Sequence, residues 1–170
     1  EAAALFGEIE SRYEDIKAKI SLRSHRPEVM FNLPANGQWR MPSGSSFSAT
    51  AAREGGCFYL APETAAETVL FDLEGVFARF SSASLWVLHS GSFQSRAEFE
   101  NAALSAFGDS RLAGFPPLKT ARVAVNDRLT DERGFNGFYD YSPLRPDWLL
   151  EDWAAMTGGG EPTHFYRILK

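Results

Sequence analysis

Apolar residues at positions 5, 9, 13, 16 and 20 recur at steps of three and four, with Glu8, Glu10, Asp15 and Lys17 between them. That period matches the turn of an α-helix and predicts an amphipathic helix over residues 1–20 (its first clear turn near Ala2) that lays one face on a core. Residues 26–56 lose the rhythm. Pro27, Pro34, Gly37 and Pro42 punctuate them and the run SGSSFSATAAREGG is small and polar, so the segment reads as loop with short strands at 29–33 and around Trp39. The apolar stretch at 57–61 reads as a buried strand. Pro62 suits the first turn of a helix running to about Leu73, because its missing N–H costs nothing there. SLWVLH (84–89) predicts a second buried strand, and Phe99, Ala103 and Phe107 share one face of a helix over 96–107. TARVAVN (120–126) alternates with the two-residue period of a half-buried strand. A turn-rich aromatic stretch at 134–146, a helix over 147–156 and a strand at 164–169 complete the chain. Strands and helices mix without a regular βαβ rhythm, which predicts an α+β fold: one compact domain over 1–170 with a mixed sheet flanked by helices.

Composition narrows the class. The 170 residues are 44% hydrophobic and 14% aromatic, as expected of a globular protein, and no apolar run reaches the about 20 residues needed to cross a bilayer. The net charge of −5 argues against nucleic-acid binding, where neutralisation of phosphates by Lys and Arg dominates. The single cysteine, Cys57, excludes an internal disulfide, sits between apolar neighbours, and makes the cytoplasm the default compartment. No basic segment followed by an apolar core marks a targeting peptide, and the first residue is not Met, as in a processed protein or an excised piece.

Glycine-rich phosphate loops, HExxH, paired CxxC and GxSxG are absent. His25, His89 and His164 lie far apart, so no metal site is expected, and His89 reads as a strand-end histidine. What remains is GQWRMPSG (37–44) followed by FYLAPETAAETVLFD (58–72). In this order they resemble the RES domain family, toxins that consume NAD or transfer its ADP-ribose. The matching positions are Gly37, Trp39, Pro42 and Gly44 in the turn, Tyr59, and Glu67 in AETVLFD. Arg23, with His25 two residues on, matches the family's first arginine, with Arg26 as the alternative, and Ser142 in GFYDYSPLR matches its serine. Gln38 departs from the arginine usual in the turn, although Arg40 is near, and the Tyr59 to Glu67 spacing is about three residues short.

The resemblance spans residues 23–142 and implies an ADP-ribosyltransferase-like fold, NAD as substrate, and a protein antitoxin as partner, with neither nucleic acid nor membrane. It implies cleavage of the nicotinamide–ribose bond by hydrolysis, phosphorolysis or ADP-ribosyl transfer. Glu67, Arg23 and Ser142 would be catalytic, and Tyr59, Trp39, Arg40 and Arg26 would bind NAD. A carboxylate beside the ribose stabilises an oxocarbenium-like transition state, and an arginine fork takes phosphate oxygens. Each residue also has a structural reading. Thr64-x-x-Glu67 is a capping box, Tyr59 and Trp39 are core aromatics, Arg23 and Arg26 are surface arginines, and Ser142 is a turn former. The alternative function is a non-enzymatic interaction module, an immunity or adaptor protein, in which Glu67 caps its helix.

Overall fold

The computed structural model describes residues 2–89 and 91–170, the side chain of Phe107 excepted, so the place expected for Phe107 on its helix lies outside the described residues. Three strands, apolar but for Arg122, run parallel side by side: β1 (Val29–Phe31), β4 (Leu85–Leu88) and β5 (Arg122–Val125). A short β6 (Arg167–Ile168) adds antiparallel to β5, giving the order β1-β4-β5-β6. Almost every residue of the parallel strands is buried, as expected of a sheet covered on both faces. Helices lie in both crossovers between the parallel strands and others flank the sheet from outside them, so the domain is α/β with a mixed sheet flanked by helices, and the α+β expectation is corrected.

The β1-to-β4 crossover carries an antiparallel ribbon of β2 (Trp39–Pro42) and β3 (Thr68–Phe71), the helix α2 (Phe47–Glu54) and the helix α3 (Leu73–Phe80). Alternation along β2 sends Trp39 and Met41 into the core and leaves Arg40 exposed. The next crossover carries α4 (Arg96–Phe107), a 3₁₀ turn over Ser110–Gly114 and α5 (Pro116–Thr120). After β5 come α6 (Phe138–Tyr141) and α7 (Pro146–Thr157). The N-terminal helix α1 (Ala2–Ser21) packs on α7 through Ile9 and Ile20, with Arg12 reaching Asp147 and Glu151. Its first turns stand clear, with Leu5 and Phe6 exposed.

Trp39, Trp86 and Phe115 meet on one side of the sheet, and Phe31, Trp153 and Tyr166 on the other. Each buried aromatic removes roughly 150–250 Å² from water, a gross gain of about 4–6 kcal/mol. Asp152 on α7 ties the C-terminal segment to this core. Its Oδ1 accepts from the N–H groups of Thr163 and His164 at 2.7 and 2.9 Å, and its Oδ2 from those of Phe165 and Tyr166 at 2.6 and 2.9 Å.

The helix expected over 62–73 does not form. Its carbonyls are taken by another loop: Ser43 N–H donates to Glu67 O, Gly44 N–H to Pro62 O, and Ser45 Oγ to Thr64 O. A Cβ on Gly44 would stand 2.6 Å from Ala61 O, so only glycine lets the two loops approach this closely. Glu67 therefore lies just ahead of a strand and caps nothing, while Thr64 Oγ1 donates to Ala66 O. The working cap is Asp72, whose Oδ1 accepts from Gly75 N–H at 2.8 Å to begin α3. The strand expected at 57–61 reduces to one bridge, Glu28 with Phe58. The polar run read as loop contains α2, capped by Ser46 and packed through Ala49 and Ala52.

Candidate functional site

Because β1, β4 and β5 are parallel, their C-terminal ends share one edge of the sheet, where ligands of open α/β folds commonly bind. Asn32 follows β1 directly and holds this edge together. Its φ of 58° is left-handed, a conformation that asparagine tolerates better than most residues. Its side chain accepts from His89 N–H at 3.2 Å and donates to Arg40 O at 3.3 Å. Its carbonyl accepts the indole N–H groups of Trp86 and Trp39 at 2.8 and 3.1 Å. One residue thus joins the ends of β1 and β4 to the ribbon.

A cleft of about 230 Å³ opens above it, between β2, the start of β3 and the N-terminus of α2. Arg40, Glu67, Thr68, Phe47 and His89 line it with Asn32. Arg40 and Glu67 are exposed, and Arg40 Nη1 donates to Thr68 Oγ1 at 3.3 Å. The His89 ring lies among Phe31, Phe138 and Tyr166, with Nε2 3.3 Å from Tyr166 Oη. Burial pushes this imidazole down to about 4, so it is neutral at pH 7. Tyr139, exposed on α6, donates its hydroxyl to His89 O, and Asn136 Nδ2 donates to Asn126 O at 2.9 Å. These bonds fold the loop after β5 against the same edge. Asn126 itself is buried there, and its Nδ2 meets no acceptor among the described residues.

Of the residues expected to be catalytic or to bind NAD, Arg40 and Glu67 share this cleft and the other five do not line it. Trp39 is fully buried with its N–H on the Phe31 and Asn32 carbonyls. Tyr59 is buried against Phe31, donates its hydroxyl to Pro42 O at 2.6 Å, and is held by burial well above the usual tyrosine range. Neither presents a ring to a ligand. Ser142 is buried at the end of α6, where its N–H donates to Phe138 O. Arg23 and Arg26 precede β1 and so lie at the opposite edge of the sheet. Arg23 Nη1 donates to Ala154 O and Thr157 Oγ1 at the end of α7, and Arg26 Nη2 to Arg53 O at the end of α2. Asn32, Phe47 and His89 were not foreseen in the cleft. A lone asparagine directly after a buried strand was the available signal for the first.

No protein-family model matches the chain, and no curated protein matches it. Solved structures do. An ABC transporter substrate-binding protein from Listeria monocytogenes aligns with a TM-score of 0.64 at 14% identity, over 94% of this chain and 57% of that one. A structure described as a possible iron-binding (periplasmic solute-binding) protein from Staphylococcus epidermidis gives 0.64 at 12% identity, over 90% and 53%. The iron uptake ABC transporter substrate-binding protein of Streptococcus pneumoniae gives 0.56 at 16% identity, over 92% and 52%. The chain spans about half the length of the solved structures it matches, and at these identities the likeness is one of fold.

These matches overturn the RES resemblance and what followed from it. The folds that align over nine-tenths of the chain are those of substrate-binding proteins, so the ADP-ribosyltransferase-like fold, the toxin and its enzymatic activity are corrected. NAD as substrate, the antitoxin partner and the cytoplasmic location rested on that reading and on cysteine usage, and fall with it. A single buried cysteine is equally compatible with an oxidising compartment, where a lone thiol forms no internal disulfide. Among the described residues, no helix is long and apolar enough to cross a membrane.

Proposed function

We propose that this chain is a ligand-binding lobe of the solute-binding protein of an ABC importer, acting outside the cytoplasmic membrane, with a chelated form of iron as cargo and a membrane permease as partner. The observation that carries this reading is the fold likeness over at least nine-tenths of the chain to proteins described as substrate-binding, two of them in connection with iron. The cleft at the strand ends supports it. Arg40 offers a guanidinium to an anionic chelator, Glu67 and Thr68 offer acceptors and a donor, and Phe47 offers an exposed ring beside them. Among the described residues no three His, Cys, Asp or Glu side chains stand close enough to hold a metal ion, so this lobe suits iron held by its own organic ligand rather than a bare ion. The function is capture and release, with no bond made or broken. In a protein twice this length, a second lobe would close over the cleft.

The indoles of Trp39 and Trp86, bonded to the Asn32 carbonyl beneath the cleft, provide the signal for a test. Ferric complexes of a catecholate, a hydroxamate and citrate are titrated against the chain while tryptophan fluorescence is followed. Saturable quenching by at least one complex is expected, weakened about tenfold in Arg40→Gln through loss of a charge-assisted hydrogen bond. The reading fails if none of the three quenches saturably, or if Arg40→Gln and Glu67→Gln both bind as tightly as the parent.

A further inference from the structure

At the opposite edge of the sheet from the cleft, α1 and α2 end around a second concavity, from which Arg23 reaches the end of α7. It measures about 300 Å³ and is lined by Lys17, Arg23, Arg26, Arg53 and Glu54 together with Ile20 and Ser21. Four cations and one carboxylate face it, on a chain whose net charge is −5. Glu54 is already engaged, by Lys17 Nζ at 2.8 Å and by the Tyr13 hydroxyl. Arg23, Arg26 and Arg53 have no carboxylate partner among the described residues; each is instead pinned by a backbone carbonyl. Arg23 Nη1 bonds Ala154 O, Arg26 Nη2 bonds Arg53 O, and Arg53 Nη1 bonds Gly44 O, at 2.8, 2.8 and 2.6 Å. Part of this charge, on Arg23 and Arg26, answers the carbonyl ends of α7 and α2. The bonds to these backbone carbonyls use one terminal nitrogen of each guanidinium, and each guanidinium carries five N–H donors.

We infer that this basic concavity is a binding site for a phosphate-type oxyanion, separate from the strand-end cleft. The guanidiniums are fixed in advance by their carbonyl bonds, so little side-chain freedom is lost when an anion arrives. Their unspent Nε–H and Nη–H donors match the several acceptor oxygens of a tetrahedral anion. α2 separates the two sites. Its first residue, Phe47, lines the cleft and its last, Glu54, lines the basic concavity, about 10 Å apart along the helix axis. The oxyanion comes either free in solution or as a phospholipid headgroup, and the chemistry is the same for both.

Calorimetric titration with inorganic phosphate at constant ionic strength, and co-sedimentation with phosphatidylglycerol vesicles, test the site. Arg26→Gln removes an exposed guanidinium, and Arg79→Gln removes one of equal charge on the exposed face of α3; circular dichroism confirms that both remain folded. Saturable phosphate binding is expected, at least tenfold weaker in Arg26→Gln and unchanged in Arg79→Gln. Vesicle capture lost in Arg26→Gln, without binding of free phosphate, assigns the oxyanion to a lipid headgroup. Arg26→Lys, which keeps the charge without the fork, should fall between. No saturable binding in either arm, or equal losses in Arg26→Gln and Arg79→Gln, overturns the inference.

Discussion

Lowering the pH from 7 to 4 should destabilise this protein mainly through one ring. The His89 imidazole is pushed by burial from 6.5 down to about 4. The folded state therefore resists a proton that the unfolded chain accepts. The associated stability is fully present above pH 6.5, declines as pH falls from 6.5, and is gone by about pH 4. A shift of about 2.5 units at 1.36 kcal/mol per unit corresponds to about 3 kcal/mol, a large part of an ordinary domain's 5–15 kcal/mol. Glu28 and Glu54, held above the usual carboxylate range by burial, act with opposite sign, since acid relieves the cost of burying their charge. Glu100, held low chiefly by its bond from Lys119, and Asp147, held low by the Arg145 fork against the upward push of its own burial, lose stability only near and below the bottom of this window. The comparison with His89→Phe cancels these shared contributions. Phenylalanine keeps a flat ring against Phe31 and Phe138 and gives up only the contact with the Tyr166 hydroxyl. Urea unfolding at half-unit steps from pH 7.5 to 4 should show the stability of the parent falling about 3 kcal/mol further than that of His89→Phe. Parallel curves for the two proteins would refute the burial argument.

Two further substitutions test the joints of the fold. Asp152→Asn replaces one carboxylate oxygen by an amide nitrogen, so two of the four N–H groups at 163–166 lose their acceptor and face a donor. A loss of about 2–5 kcal/mol in urea unfolding is expected, with faster amide exchange at residues 163–166, and a loss below about 1 kcal/mol would contradict the clamp. Gly55→Ala would place its Cβ 2.4 Å from Trp153 Cβ and 2.9 Å from Ala51 O, which the ends of α2 and α7 can accommodate only by moving apart. The cost expected from thermal or urea unfolding is about 2–3 kcal/mol, and a neutral substitution would show that the contact yields.

The elements that were legible in the chain are those whose partners are local or whose burial is complete. The period of α1, the apolar run of β4 and the Trp153 face of α7 stand in the sequence as they stand in the fold, whereas β5, read as alternating and half-buried, is a strand buried on both faces. The segment between residues 43 and 73 was misread because its hydrogen bonds are long-range. Ser43 and Gly44 take carbonyls some twenty residues away, and this contest with helix formation leaves no periodic trace. Asp72 with Leu73, Val76 and Phe80 was a readable helix start, overshadowed by Thr64-x-x-Glu67 one turn and a strand earlier.

The candidate site failed for a reason that strand direction alone supplies. Residues that precede a strand and residues that follow it stand at opposite ends of that strand. In a parallel sheet the ends of all strands align, so the two sets stay apart across the whole domain. Arg23 and Arg26 come before β1, while Asn32 and His89 directly follow β1 and β4, with Arg40 and Glu67 brought to the same end by the ribbon. Placing Arg23 beside Glu67 required the sheet to run both ways at once. The two-residue period of β2 was equally decisive, since Trp39 and Met41 cannot pack in the core unless Arg40 faces out. Strand direction and alternation together therefore separate the arginines into two groups: Arg40 at the strand-end cleft, and Arg23 and Arg26 with Arg53 at the basic concavity beyond α2.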